Sequence, residues 1–168
     1  MKVIMYMAMS SNGMIAKGDD DTSWISKEEW DGYSKAVRAA GNLIVGRRTY
    51  NILTKQPEFI EFKDVKLIVI SKSKFKTLAP NHHLAHSPKE ALTLLKGAKQ
   101  VIVAGGGALN SSFLEENLID ELYLDIEPII LSQGIPIFKE SNFERKLKLI
   151  GQKMITPHEI QLHYQILK

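Results

Sequence analysis

The sequence predicts a three-layer α/β fold, with a mainly parallel central sheet, helices on both faces and an antiparallel hairpin at the C-terminal end. Three observations carry this expectation. Short, continuously apolar runs recur along the chain, as strands buried on both faces require. Each is followed by a helical pattern or helix-start chemistry, which implies right-handed crossovers between parallel strands. The last third then changes to alternating patterns with few helical signals.

Residues 2–9 form the first buried strand, closed by the polar run Ser10-Ser11-Asn12-Gly13. This opening is too short for a membrane span and lacks a cleavage-site context, so it reads as a strand rather than a leader. A helix is expected over 26–40, because Trp30, Tyr33, Val37 and Ala40 fall three or four apart on one face. Ser26 and Glu29 make a capping-box pattern at its start, and Gly41 stands just past its end. Leu43-Ile44-Val45 is a second strand, leading through Gly46 into a brief helix past Tyr50 and Leu53. Leu67-Ile68-Val69-Ile70 is a third strand, and Ser87-Pro88-Lys89-Glu90 opens another helix. Val101-Ile102-Val103-Ala104 is a fourth strand, running into Gly105-Gly106-Gly107 and a helix with Leu109, Phe113, Leu114 and Leu118 inward. Residues 121–131, 146–155 and 159–167 read as strands, the last two joined by Thr156-Pro157-His158.

With 168 residues and 44% hydrophobic content, the chain is expected to form a single domain over 1–168. There is no cysteine, which removes disulfide and thiolate chemistry and agrees with a cytoplasmic location. The net charge is +3 and the pI about 9.0. Lys72, Lys74 and Lys76 read as a solvated edge, and no broad basic stripe points to nucleic acid. No membrane partner is expected. His82, His83 and His86 lack acidic or thiol ligands at useful spacing and read as exposed loop histidines, so no metal is expected.

Open α/β sheets bind ligands at the carboxyl ends of their parallel strands. Two such ends carry phosphate-type features. Gly105-Gly106-Gly107-Ala108 would let a ligand approach the backbone at a helix start, although a tight turn alone would account for these glycines. Gly46-Arg47-Arg48-Thr49-Tyr50 places two guanidinium groups and a hydroxyl at another helix start, where bidentate phosphate contacts are favoured. Ser71 and Lys72 follow the third strand and could make a third contact. Asp125 points opposite to Leu124 and Ile126 in a strand expected to be central, so it is either solvated at a cleft or functional.

These segments resemble a known family. Ser11-Asn12-Gly13-Met14-Ile15-Ala16 resembles the S-x-D-G-x-I-A loop of the pyrimidine reductases of riboflavin biosynthesis. Gly46-Arg47-Arg48-Thr49-Tyr50 is similar to the G-R-x-T-aromatic segment of dihydrofolate reductases, and the glycine turn at 105–107 resembles that of both. Asp120-Glu121-Leu122-Tyr123-Leu124 through Pro128, with Gly134-Ile135-Pro136-Ile137-Phe138, resembles the D-E-L…P…G-x-P-L-F run of the riboflavin-type enzymes. The chain thus looks like a dihydrofolate-reductase-like domain, closest to the stand-alone C-terminal reductase domains of riboflavin biosynthesis.

The resemblance implies an NADPH-dependent reductase of a small pterin- or pyrimidine-like heterocycle, acting as a homodimer. It implies that Arg47, Arg48 and Thr49 hold the cofactor phosphates, next to Gly46. Ser71 and Lys72 would flank its adenosine. Gly105, Gly106, Gly107 and Ala108 would lie along the pyrophosphate, and Ala8, Ile15 and Ala16 near the nicotinamide. Glu29 falls where dihydrofolate reductases carry a buried acid, although its place in the capping box offers a purely structural role. Asp125 is the other catalytic candidate, and Trp24 and Tyr33 would contact substrate. The sequence departs from the family at four points. Asp64-Val65-Lys66 lacks the folate-tail arginine, Tyr6 replaces a lysine in the first strand, Asn12-Gly13 stands for D-G, and Asn51–Phe62 has no D-x-P-x-L-x-x-R stretch. An NADPH-binding module without turnover is the alternative.

Overall fold

The computed structural model describes the backbone of residues 1–168 and every side chain except that of Glu58. In chain order the elements are β1 (Lys2–Ser10), β2 (Met14–Ala16), α1 (Lys27–Ala40), β3 (Asn42–Gly46) and α2 (Arg47–Leu53). A 3-10 turn at Pro57–Phe62 leads to β4 (Lys66–Ile70), β5 (His82–Ala85), α3 (Pro88–Leu94), β6 (Gln100–Val103) and α4 (Gly107–Glu115). β7 (Glu121–Glu127), β8 (Ile135–Pro136), β9 (Lys146–Thr156) and β10 (Glu159–Leu167) complete the chain.

Among the described residues the main sheet has eight strands in the order β5-β4-β3-β6-β1-β7-β10-β9. The pairs from β5 through to β7 are parallel. β10 runs antiparallel to both β7 and β9, so the last hairpin inserts β10 beside β7 and leaves β9 at the edge. β2 and β8 form a separate antiparallel pair.

Alternation along the strands divides the core between the two faces. Val3, Met5 and Met7 of β1 pack with Ala91 and Leu95 around α3 and with Phe113 of α4. Ile4 and Tyr6 face the other way, onto Val37 of α1 and Tyr50 of α2. Ser26 caps α1, its Oγ accepting from the Glu29 N–H at 3.0 Å. Gly41 closes the helix in the left-handed region, at φ 69°.

The structure departs from the sequence reading in particular places. The strand expected over 121–131 ends at Glu127, where Ile129 N–H turns back onto the Glu127 carbonyl at 2.8 Å. His82 is not in an exposed loop: it begins β5, is 6% exposed, and its Nδ1 lies 2.9 Å from the Tyr50 hydroxyl. Leu118 falls beyond the end of α4 but still packs against the core.

Candidate active site

The carboxyl ends of β1, β3, β4 and β6 open into one cleft of about 1220 Å³. Both glycine-bearing turns meet there. Gly46 N–H donates to the Gly105 carbonyl at 2.9 Å, tying the end of β3 to the end of β6. Gly105 has φ +73°, which a side chain would oppose, and a Cβ on Gly107 would stand 2.4 Å from the Pro136 carbonyl oxygen. The turn therefore has no room for side chains at the point where α4 begins. Gly106 caps α4 without a side-chain hydrogen bond, leaving backbone N–H groups at the helix start for a ligand.

The expected cofactor residues Ala8, Ile15, Ala16, Gly46, Arg47, Arg48, Thr49, Ser71, Lys72 and Gly105 through Ala108 all line this cleft. Arg47 donates to Ser73 Oγ at 2.6 Å and lies over the Phe75 ring, 5.0 Å from its centroid. Arg48 reaches the opposite side, pairing with Asp20 of the loop after β2 at 2.8 Å. That loop residue was not singled out from sequence, because nothing local marks it as facing an arginine more than twenty residues away.

At the other end stand Glu29 and Tyr33, both lining the cleft. Glu29 is 4% exposed, and no described residue hydrogen-bonds its carboxyl. Its side chain does not close the capping box. The Ser26 N–H donates instead to Glu127 Oε1 at 2.8 Å, and Ser26 Oγ donates to Glu159 Oε2 at 2.8 Å. With Glu127 occupying that position, the Glu29 carboxyl is left facing the cleft. Burial raises it well above the usual carboxylate range, and the charges of Asp125, Glu127 and Glu159 add to the effect.

Asp125 and Trp24 lie outside the cleft lining. Asp125 is 1% exposed, in β7 between β1 and β10, so it is not solvated. It accepts from the Tyr6 hydroxyl at 3.0 Å and from Gln161 Nε2 at 2.7 Å. Burial pushes its carboxyl up to about 6, against the lowering effect of those two donors and of Lys153. The Trp24 indole turns back to donate to the Asp21 carbonyl at 3.2 Å. Tyr6, noted in the sequence only as a departure, does line the cleft. Gln161 was missed because its partners are at least 36 residues away. No group of three or more His, Cys, Asp or Glu among the described residues is placed to hold a metal ion. No helix is long and apolar enough to cross a membrane.

A parallel sheet with its cleft at these strand ends, completed by an antiparallel C-terminal hairpin, defines a domain of the dihydrofolate-reductase-like fold class. Within that class the chain belongs to the RibD C-terminal domain family, whose pattern matches residues 1–158. It is 32% identical to the uncharacterised protein YwjB of Bacillus subtilis, over 97% of each chain. It is 34% identical to dihydrofolate reductase type 1 of Escherichia coli, over 85% of this chain and 86% of that one. Among solved structures, a protein of Shewanella sp. assigned to riboflavin biosynthesis superposes with a TM-score of 0.82 at 21% identity, covering all of both chains. The bifunctional deaminase/5-amino-6-(5-phosphoribosylamino)uracil reductase of Thermotoga maritima gives a TM-score of 0.74 at 16% identity, covering 99% of this chain and 56% of that one.

Proposed function

We propose that the protein is an NADPH-dependent reductase of a small pterin- or pyrimidine-like heterocycle. The observation that carries this reading is one continuous cleft with two arginines and a glycine turn at one end and a buried, unpartnered carboxyl at the other. The donor set suits a dinucleotide. Arg47 and Arg48 would hold the 2′-phosphate and pyrophosphate, with Thr49 and the start of α4 completing the phosphate contacts. Ser71 and Lys72 would flank the adenosine, and Ala8, Ile15 and Ala16 would pack beside the nicotinamide.

When bound, NADPH supplies a hydride. Glu29, kept protonated by burial, supplies the proton to a ligand nitrogen, so that a C=N bond becomes CH–NH. Tyr33 lies one turn along α1 from Glu29 and would pack on the heterocycle, excluding water from the reacting atoms.

The test is a titration with NADPH and NADH followed by nicotinamide fluorescence, then NADPH oxidation with dihydrofolate as the probe. Micromolar binding that prefers NADPH and weakens about tenfold in Arg48→Ala is expected. Binding without oxidation of NADPH against any heterocycle would leave the nucleotide-binding module instead, and binding of neither nucleotide would remove both readings. A reaction that draws on NADPH belongs in the reducing cytoplasm, and we place the protein there. We also propose a homodimer formed through the edge strand β9, where Leu147, Leu149, Ile150 and Met154 are exposed.

A further inference from the structure

We propose that the Tyr6 hydroxyl is a fixed hydrogen-bond acceptor at the substrate end of the cleft, selecting ligands that present a ring N–H to it. The proposal rests on the reductase reading only in taking the ligand to be a heterocycle. It follows from counting protons. Gln161 Nε2 has two hydrogens, and both are committed: one to Asp125 Oδ1 at 2.7 Å and one to Tyr6 Oη at 2.7 Å. An ionised carboxylate only accepts, so the single phenolic proton goes to Asp125 Oδ2 at 3.0 Å. Tyr6 Oη has then given its only proton and accepted one bond. What remains is a single lone pair, on a residue that lines the cleft.

The ring is held as firmly as the hydroxyl. Tyr123 stacks on it at 5.5 Å and 10°, and Tyr33 leans against it at 5.6 Å and 58°. A Cβ on Gly32 would stand 3.3 Å from Tyr6 Oη, so the hydroxyl comes close to α1 where that helix has no side chain. Gly32 is three residues after Glu29, on the same helix. The substrate end therefore offers a lone pair from Tyr6 and a carboxyl from Glu29. A cyclic amide or amidine edge, with its ring N–H beside a second polar atom, matches that pair.

The titratable and charged groups facing Asp125 are Glu29 of α1, Glu159 of β10 and Lys153 of β9, with Glu127 on its own strand. Once Asp125 is protonated it can donate to Tyr6 Oη and free the phenolic proton to point into the cleft. The acceptor then becomes a donor.

The experiment is equilibrium binding of dihydropterin and of its ring-N-methylated counterpart, read by quenching of tryptophan fluorescence. The native protein is expected to prefer the N–H ligand by about tenfold at pH about 8 and to lose most of that preference at pH about 5. Tyr6→Phe should bind both ligands alike at either pH. Gln161→Leu removes a donor and leaves the phenolic proton on Asp125, so the preference at pH about 8 should persist, and its loss would overturn the proton assignment. An unchanged preference in Tyr6→Phe, or no binding of either pterin, overturns the proposal. Failure of the reductase reading appears separately, as NADPH left unoxidised whichever ligand is bound.

Discussion

Four buried carboxyls, Glu29, Asp125, Glu127 and Glu159, surround the start of α1, none more than 7% exposed. The protonation of Glu29 and Asp125 should govern activity and stability. Asp125 titrates at about 6 when folded and near 3.8 when unfolded, so between those values the folded state binds more protons. Stability from this group should therefore fall as pH rises from about 4 to about 6, by a total of about 3 kcal/mol. Asp125→Asn should flatten that fall and unfold at higher urea than the native protein at pH about 8, as urea midpoints across the pH range would show. Glu29 is raised in the same direction, so Glu29→Gln should leave the fold intact and be at least as stable at alkaline pH. Its turnover with NADPH and dihydrofolate should fall by about 10²-fold or more, the loss expected for removing a placed acid. At the proposed cofactor end, the Asp20–Arg48 pair is too exposed to contribute much stability but would compete with a phosphate for the same guanidinium. Asp20→Asn should therefore tighten NADPH binding several-fold with little change in melting temperature, a result readable by fluorescence titration.

The start of α1 shows how one element connects fold and site. Ser26→Ala removes the cap on the Glu29 N–H and the hydroxyl donated to Glu159, and should cost about 1–2 kcal/mol in urea unfolding. Local pattern made this helix legible, since Ser26, the apolar stripe and Gly41 are all read within a few residues of one another. The same pattern misassigned the Glu29 side chain, because the carboxylate that takes the Ser26 N–H comes from Glu127, 101 positions away. His82 was misread for a related reason. Flanked by another histidine it lacks a strand signature, and only pairing with Leu67 of β4 and a bond to Tyr50 bury it. The glycine turn, in contrast, was legible at once, being three glycines between an apolar run and a helix start. Its need for space depends on Pro136 of β8, a two-residue strand no periodicity would reveal.

At the scale of the whole molecule, β1, β3, β4 and β6 could be read from sequence because each announces itself by continuous apolarity, whereas the parallel strands β5 and β7 carry no such run. The order β7-β10-β9 could not, since alternating strands carry no label for their neighbours. β9 pairs only with β10 and exposes Leu149 at 49% and Met154 at 58%, an edge that a second copy would cover. Solution scattering should give a dimer mass for the native protein and a monomer mass for the Leu149→Lys/Met154→Lys double variant. A native monomer would remove the dimer. The placement of β10 also has a consequence for biosynthesis. Most of the cleft lining, from Tyr6 to Glu116, is made before Gln161. The last strand to emerge then supplies the amide that fixes the Tyr6 hydroxyl.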